Sequence, residues 1–197
     1  MELNIIAAVA ANRAIGYRND MVYFIREDLK RFKQLTTGHV VIMGRKTFHS
    51  LPKGALPNRR NIVLSRTEKD FKGCEVYTSL DEAMRHISTD EQAFIIGGAS
   101  LYKEALGIAN RLYLTEIADS PAQADVFFPP YNDGTWRIES REEHPAADGN
   151  PAYSFVNYIR KWVKKEHPWY EEGAKVRTNG SPNQRTNKST IMEMGIF

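Results

Sequence analysis

The sequence has very little cysteine and no long hydrophobic run. Cys74 is the only cysteine among 197 residues, so no disulfide can form within the chain and a reducing compartment is expected. No stretch approaches the run of about 18 apolar residues that a membrane helix needs. Residues 1–4 lack the basic region of a signal peptide. We therefore expect a cytoplasmic protein with no membrane partner.

Signatures of metal, nucleophile and dinucleotide sites are also missing. The 5 histidines are scattered, with no cysteine or acid motif between them, so no metal site is predicted. No serine stands in a nucleophile elbow, and the spacing G-x-G-x-x-G is absent. If the chain is an enzyme, its chemistry is therefore expected to be carried by a cofactor and one acid.

One acid stands where a helical pattern predicts an apolar residue. Between Ile25 and Thr36 apolar residues recur at three- and four-residue steps, and Asp28 falls on that stripe. A carboxylate facing an apolar interior is costly unless it is paired, and no Lys or Arg is expected on its face. The partner is then a distant residue or a ligand. A structural role, answering the helix dipole or bonding a buried Ser or Thr, is an equally open alternative.

Apolar runs alternate with amphipathic stretches through most of the chain. This alternation predicts an α/β fold with a mixed, mostly parallel central sheet flanked by helices. Two late strands, 136–142 and 153–158, have no helix between them and predict a C-terminal antiparallel hairpin at the edge. The other predicted strands are 3–10, 40–43, 61–65, 75–77, 93–96 and 111–116, and the predicted helices are 25–36, 45–50, 80–87 (opened by a capping box of Ser79 and Glu82) and 100–106.

The composition changes after about residue 161. Basic residues outnumber acidic ones in the segment 162–197, which also contains a polar run at 179–184. This composition predicts one domain at 1–161 followed by a polar, basic, flexible tail. A basic tail can contact nucleic acid, but its acids are mixed among its bases and no patch forms. No nucleic-acid partner is therefore expected.

Two predicted strand-to-helix junctions carry small residues that would let an anion approach. They read Ile-Met-Gly-Arg-Lys-Thr at 42–47 and Ile-Ile-Gly-Gly-Ala-Ser at 95–100. A helix N-terminus offers free N–H groups, and glycine lets the backbone come close. With Ser65 and Arg66 at the end of a neighbouring strand, the junctions predict a nucleotide across the carboxyl edge of the sheet.

Several short stretches, taken in order from about residue 3 to residue 160, resemble the dihydrofolate reductase family. They are Ile6-Ala7-Ala8, Ala14-Ile15-Gly16, Asp28-Leu29, Phe32-Lys33, the run from Val41 to Thr47, Leu56-Pro57, Arg59-Arg60-Asn61, Ile96-Gly97-Gly98, Leu101-Tyr102, Leu114-Thr115, and Asp125 through Phe128-Pro129. The resemblance implies NADPH-dependent reduction of 7,8-dihydrofolate to tetrahydrofolate in one-carbon metabolism. It also implies a monomer that antifolate inhibitors bind. The alternatives are a related pterin or flavin-precursor reductase and a non-catalytic binding protein of the same fold.

The resemblance implies which residues bind the substrate and which take part in catalysis. Asp28 would accept two parallel hydrogen bonds from the pteridine edge, and Thr115 would hold that carboxylate; with Tyr23 they form the implied catalytic set. Arg59 would bind the glutamate carboxylate of the substrate. The other substrate-binding residues implied are Ile6, Ala7, Leu29, Phe32, Leu51, Leu56 and Ile96.

The resemblance also implies a cofactor site. Ala8 and Ile15 would meet the nicotinamide carboxamide, and Arg45, Ser65 and Arg66 would favour NADPH over NADH. The other cofactor-binding residues implied are Gly16, Gly44, Lys46, Thr47, Leu64, Ile96, Gly97, Gly98, Ala99, Ser100, Leu101 and Tyr102, with a cis peptide between the two adjacent glycines.

The chain departs from the family pattern at two places. Val22-Tyr23 follows the loop methionine, where the family usually has Pro-Trp. Tyr23 keeps a ring and a polar tip, whereas Val22 loosens backbone that proline would fix. Ser100 stands where some members have a basic residue that contacts the cofactor. Binding of the NADPH 2′-phosphate is therefore expected to depend more on Arg45 and Arg66.

Overall fold

Two sheets and four helices make up residues 1–161, the part of the chain that the computed structural model describes. In chain order the elements are β1 (Glu2–Ala10), β2 (Ala14–Tyr17), β3 (Asp20–Met21), α1 (Arg26–Thr36), β4 (Val40–Gly44), α2 (Arg45–Ser50), β5 (Arg60–Leu64), β6 (Cys74–Tyr77), α3 (Leu80–Arg85), β7 (Gln92–Gly97), α4 (Ala99–Ala105), β8 (Arg111–Ile117), β9 (Val126–Phe127), β10 (Trp136–His144) and β11 (Tyr153–Arg160). The predicted tail, 162–197, lies outside the described residues, so its flexibility and the division at residue 161 stay predictions.

The larger sheet has the strand order β10-β11-β8-β1-β7-β4-β5-β6. The strands from β8 to β6 pair in parallel, while β11 and β10 add to the β8 side in antiparallel fashion. This arrangement confirms the predicted mixed, mostly parallel sheet with its antiparallel hairpin at one edge. No helix in the described part of the chain is long and apolar enough to cross a membrane.

Both faces of the central strands are buried, as continuous apolar runs in a parallel sheet require. Along β4, Val40 and Ile42 join an apolar cluster that includes α3 and α4, while Val41 and Met43 join the opposite cluster. Phe32 of α1 packs against this second cluster. The period-two alternation of strand side chains therefore sends α1 to one face of the sheet and α3 and α4 to the other.

Predicted and observed element bounds differ by small amounts with local causes. Ile25 is extended (φ −103°, ψ 115°) and serves as the N-cap of α1, so the helix begins one residue later than predicted. Ser79 Oγ accepts from the Glu82 N–H at 3.1 Å, as the capping box requires. The Glu82 carboxylate, however, accepts from the Thr78 N–H at 2.8 Å instead of reaching back to Ser79.

The small antiparallel sheet, of order β3-β2-β9, was not predicted. Its strands have only two to four residues, too few to show an alternating pattern. Arg18 and Asn19 take positive φ values of 51° and 64° between Tyr17 and Asp20, which pair across the hairpin. Two such residues form a tight hairpin turn, but Arg-Asn lacks the glycine that usually signals one.

Candidate active site

Asp28 of α1 faces the fully buried Thr115 of β8. Thr115 Oγ1 donates to Asp28 Oδ1 at 2.5 Å, and no donor within residues 1–161 bonds the second oxygen, Oδ2. Burial raises the pKa of Asp28, and the Thr115 hydrogen bond and the positive charge of Arg31 only partly oppose that rise. The acid thus has a distant partner for one oxygen, while the other is left for a ligand with donors.

The expectation that no basic residue shares the face of Asp28 is wrong. Arg31 follows three positions later on α1, and its Nη2 donates to Asn157 Oδ1 of β11 at 2.6 Å. Its guanidinium lies 4.7 Å from the centre of the Phe155 ring. The hydrophobic pattern places arginine on the solvated face, but its stem and planar head can pack against aromatic rings.

Strand register brings three residues together beside the acid. Ala8 of β1 is opposite Thr115 of β8, which in turn is opposite Phe155 of β11. Ala8 and Phe155 also pack against one small apolar cluster around Ile25, the N-cap of α1. Ala8, implied on the cofactor side, therefore adjoins the residue that bonds Asp28.

An apolar wall lies on the α1 face of the sheet. Ile6 is buried in one cluster with Val41, Met43 and Phe94. Four further residues implied in substrate binding pack against that same cluster: Phe32, Leu51, Leu56 and Ile96. The structure thus brings together most of the apolar residues implied around the substrate. Leu29, also implied there, is half-buried on α1, and Ala7 packs against the opposite cluster.

Arg59 is held against this wall by hydrogen bonds to neutral groups. Its Nε donates to Thr36 Oγ1 at 2.8 Å and its Nη1 to the Pro57 carbonyl at 2.7 Å. The guanidinium lies 5.7 Å from the centre of the Phe32 ring, and burial lowers its pKa. No carboxylate within the described residues forms a salt bridge with it, so its charge is available to an anionic ligand.

Asn61 organises the loop that carries Leu56 and Arg59. The Asn61 side chain accepts from the Leu56 N–H at 2.9 Å and donates to the Leu56 carbonyl at 2.8 Å and to the Arg59 carbonyl at 3.0 Å. Sequence reasoning gave Asn61 no role of its own. An asparagine near the start of an otherwise apolar strand was the available signal, since buried amides usually bond backbone.

The two glycine-containing junctions meet at the carboxyl edge of the sheet. Met43, at the end of β4, is opposite Gly97 in β7, and the Gly97–Gly98 peptide is cis. A Cβ on Gly97 would lie 3.0 Å from Thr47 Oγ1, and one on Gly44 would lie 3.8 Å from the Gly98 nitrogen. Neither α2 nor α4 has a side-chain N-cap hydrogen bond. The two junctions therefore lie close together, and neither helix start is capped by a side chain.

Basic side chains lie on the surface beside the first junction. Arg45 Nη1 is 3.9 Å from Glu68 Oε2, which also contacts His49 Nε2 at 2.9 Å. Ser65 is buried, and its Oγ accepts from the Glu68 N–H at 3.1 Å. Arg66 and Lys46 are exposed. Glu68 and His49, which sequence reasoning missed, therefore share this surface with the implied 2′-phosphate residues.

Tyr23 directs its hydroxyl to a neighbouring loop. It donates to Asp119 Oδ2 at 2.7 Å, and burial together with this carboxylate raises the pKa of Tyr23 to about 12.

Tyr102 lies in the core and donates to the Ile6 carbonyl at 3.0 Å. The remaining cofactor residues implied by resemblance are Ile15 and Leu64, packed against the core; Leu101, buried within it; Gly16, in β2; Ala99, at the start of α4; and Ser100, exposed.

Comparisons with known proteins agree with this arrangement. A family model described as dihydrofolate reductase matches residues 2–160, and the chain belongs to that family. The dihydrofolate reductase of Bacillus subtilis (strain 168) is 40% identical over 161 residues, covering 81% of this chain and 95% of that protein. Dihydrofolate reductase type 3 of Salmonella typhimurium is 44% identical over 163 residues, covering 82% and 99%.

A solved structure is similar as well. Dihydrofolate reductase from Enterococcus faecalis, complexed with NADP(H) and RAB-propyl, superposes with a TM-score of 0.75 at 28% identity and covers 81% of this chain and 96% of that one. Within the described residues, no group of three or more His, Cys, Asp or Glu side chains is placed to hold a metal ion.

Proposed function

We propose that the chain reduces 7,8-dihydrofolate to 5,6,7,8-tetrahydrofolate by hydride transfer from NADPH. The observation that carries the proposal is the Asp28 carboxylate, held by Thr115 beside an apolar wall that ends at the guanidinium of Arg59. A ligand matching this order has donors at one end, an apolar middle and an anion at the other end. Dihydrofolate has that order of pteridine, benzoyl and glutamate groups.

Asp28 is the proposed anchor of the pteridine. A ring N–H and the exocyclic amine lie side by side on that edge, and a carboxylate accepts both in parallel. Thr115 fixes the orientation of the carboxylate through its bond to Oδ1. Asp28 binds the edge of the ring far from the carbon that receives the hydride and from the adjacent nitrogen that gains the proton. Its proposed contribution is therefore to polarise the ring, while a water molecule delivers the proton.

The apolar wall and Arg59 are the proposed contacts of the rest of the substrate. Phe32 and Leu51 pack the benzoyl ring with the other apolar residues of the wall: Ile6, Ala7, Leu29, Leu56 and Ile96. Thr36 and Pro57 engage Nε and Nη1 of Arg59, which leaves Nη2 of the fork for the glutamate carboxylate. Tyr23 is proposed to cover the catalytic end of the cleft.

The residues of the junctions fit an anionic nucleotide, because two helix N-termini without side-chain caps lie beside exposed basic side chains. When bound, NADPH supplies the hydride. Gly44 through Thr47 and Gly97 through Ala99 are proposed to bind its phosphates. Arg45, Ser65 and Arg66 are proposed to select the 2′-phosphate. Backbone groups of Ala8 and Ile15 are proposed to orient the carboxamide.

The sequence also left open a related pterin or flavin-precursor reductase and a non-catalytic binding protein of the same fold, but the family match and the relatives favour a dihydrofolate reductase. The pairing of Asp28 with Thr115, together with Arg59, favours a folate over a substrate without a glutamate tail. Binding of antifolate inhibitors is proposed at the same acid. The monomeric state, the cytoplasmic location and the lack of a nucleic-acid partner stay predictions.

The test is the initial rate of NADPH oxidation with dihydrofolate, compared with a dihydropterin lacking the aminobenzoyl-glutamate. Arg59→Gln should raise the KM for dihydrofolate and leave the rate with the short pterin unchanged. Arg26→Gln, which removes an exposed charge from α1, is the matched control. Faster turnover of the short pterin would favour the pterin reductase. Tight dihydrofolate binding without NADPH oxidation would favour the binding protein.

A further inference from the structure

Arg31 is a cation fixed beside the candidate acid. Its guanidinium bonds Asn157 Oδ1 at 2.6 Å, lies 4.7 Å from the Phe155 ring centre and lies 6.0 Å from the Tyr113 ring centre. A surface arginine with free rotation would be screened by water, but this one is held by two strands of the sheet. Its charge therefore keeps one position relative to α1.

Asp28 and Arg31 face the same two strands from α1. Residues three apart on a helix are neighbours, with about 5–6 Å between their Cβ atoms. Asp28 bonds Thr115 of β8, and the ring beneath Arg31 belongs to Phe155, which is opposite Thr115 in β11. The anchors of the acid and of the cation are thus adjacent across one strand pair, which fixes the separation of the two charges.

We propose that Arg31 is a positioning residue that stabilises the ionised form of Asp28 and so sets the pH range in which this acid carries its charge. The effect on turnover rests on the proposed function, because it requires Asp28 to bind the substrate. The electrostatic effect itself is a property of the ligand-free protein. Burial raises the pKa of Asp28, and the charge of Arg31 opposes that rise.

Other titratable groups around the pair do not supply this charge. Tyr102 of α4 and Tyr153 of β11 interact with Asp28, but burial raises the pKa of both, so they are neutral at neutral pH. Burial lowers the pKa of Arg31, while the charges of Asp28 and of Glu142 on β10 oppose that fall. Within the described residues, Arg31 is the one cation that lowers the pKa of Asp28.

The experiment follows the Asp28 carboxyl carbon by NMR across a pH titration of the ligand-free full chain, with the signal assigned by its loss in Asp28→Asn. Arg31→Met keeps an apolar stem on Phe155 and removes the charge, so the ionisation of Asp28 should move up by about 0.5–1 pH unit. Arg31→Lys retains a charge and should restore most of the difference. Arg26→Met removes an exposed charge from the same helix and should leave the titration unchanged.

An unchanged Asp28 titration in folded Arg31→Met would overturn the proposal. If that variant does not fold, Asn157→Ala releases the guanidinium without removing it, and the Asp28 titration is then expected to move up relative to the parent chain. No movement there would equally count against the proposal. The pH profile of kcat/KM for dihydrofolate should move with the titration. A shifted titration with an unmoved profile would support the coupling and contradict the role of Asp28 in the proposed function.

Discussion

Replacing Asp28 by asparagine isolates the charge of the candidate acid from its shape. The side-chain oxygen of the introduced amide can still accept from Thr115, which donates to Oδ1 of Asp28 at 2.5 Å in the parent chain. The amide nitrogen would then take the place of Oδ2 and present a donor to a donor of the pteridine. One charged hydrogen bond, contributing about 1.5–3 kcal/mol, is lost and one unfavourable contact is added.

Together these two effects should reduce the stabilisation of the transition state by about 3 kcal/mol, which lowers kcat/KM on the order of a hundredfold. The assay is the initial rate of NADPH oxidation with dihydrofolate at neutral pH. Glu27→Gln removes the same charge from an exposed position of the same helix and should change kcat/KM little. Wild-type-like kcat/KM in Asp28→Asn would refute the assignment of this acid.

The same substitution has a separate consequence for stability. Burial holds the folded pKa of Asp28 above its unfolded value, so the ionised carboxylate disfavours folding at neutral pH. This effect shrinks as the pH falls below the folded pKa and is gone below the unfolded pKa. Asp28→Asn should therefore fold with an equal or higher Tm at neutral pH, and the difference should shrink in acid. A lower Tm at neutral pH would show that the charge has a stabilising partner in the fold.

Four further outcomes are expected. Arg66→Glu should raise the KM for NADPH and spare that for NADH, with Lys69→Glu as the exposed control; equal losses with both cofactors would make Arg66 structural. Asp119→Ala should lower kcat/KM in the parent chain but not in Tyr23→Phe, because the Tyr23 hydroxyl bonds Asp119. Additive losses in the double variant would mean that the two residues act independently. Asn4 is fully buried, and both polar atoms of its amide lack a partner within residues 1–161. Asn4→Val should therefore raise the free energy of unfolding by about 1–2 kcal/mol in denaturant titration, and a decrease would mean that the amide is satisfied. A chain ending at Lys161 should keep its kcat and Tm, because both sheets and every candidate site residue precede that position; a large drop in either would assign the tail to the fold.

The periodic elements could be predicted from sequence because burial imposes their period. Strands such as β4 are apolar on both faces, and α1 carries an apolar stripe. Asp28 was found because it breaks that stripe. Its partner, Thr115, is 87 positions away and came only from the family resemblance. Local pattern contains no information on which distant strand a helix will face.

The residues that sequence reasoning missed share a physical cause. Arg31, Asn61, Glu68 and Asp119 are polar, and a hydrophobic pattern assigns polar residues to solvent. Arg31, Glu68 and Asp119 instead bond groups that the fold brings near, such as Asn157 for Arg31, whereas Asn61 bonds backbone of its own loop at Leu56. The long-range contacts form only after the sheet is assembled, so the periodicity of a single segment cannot reveal them.

The register of three parallel strands explains why the two halves of the site meet. Ile5 of β1 is opposite Ile95 of β7 on one side and Leu112 of β8 on the other, so the three strands share one level. Three residues beyond each of these positions stand Ala8, Gly98 and Thr115. Parallel strands end at one edge of a sheet, which places the cis glycine pair and the partner of Asp28 on either side of β1. A slip of one residue in either pairing would turn Thr115 or the glycine junction to the wrong face, so sheet register, rather than any loop, sets the spacing between the acid and the nucleotide junction.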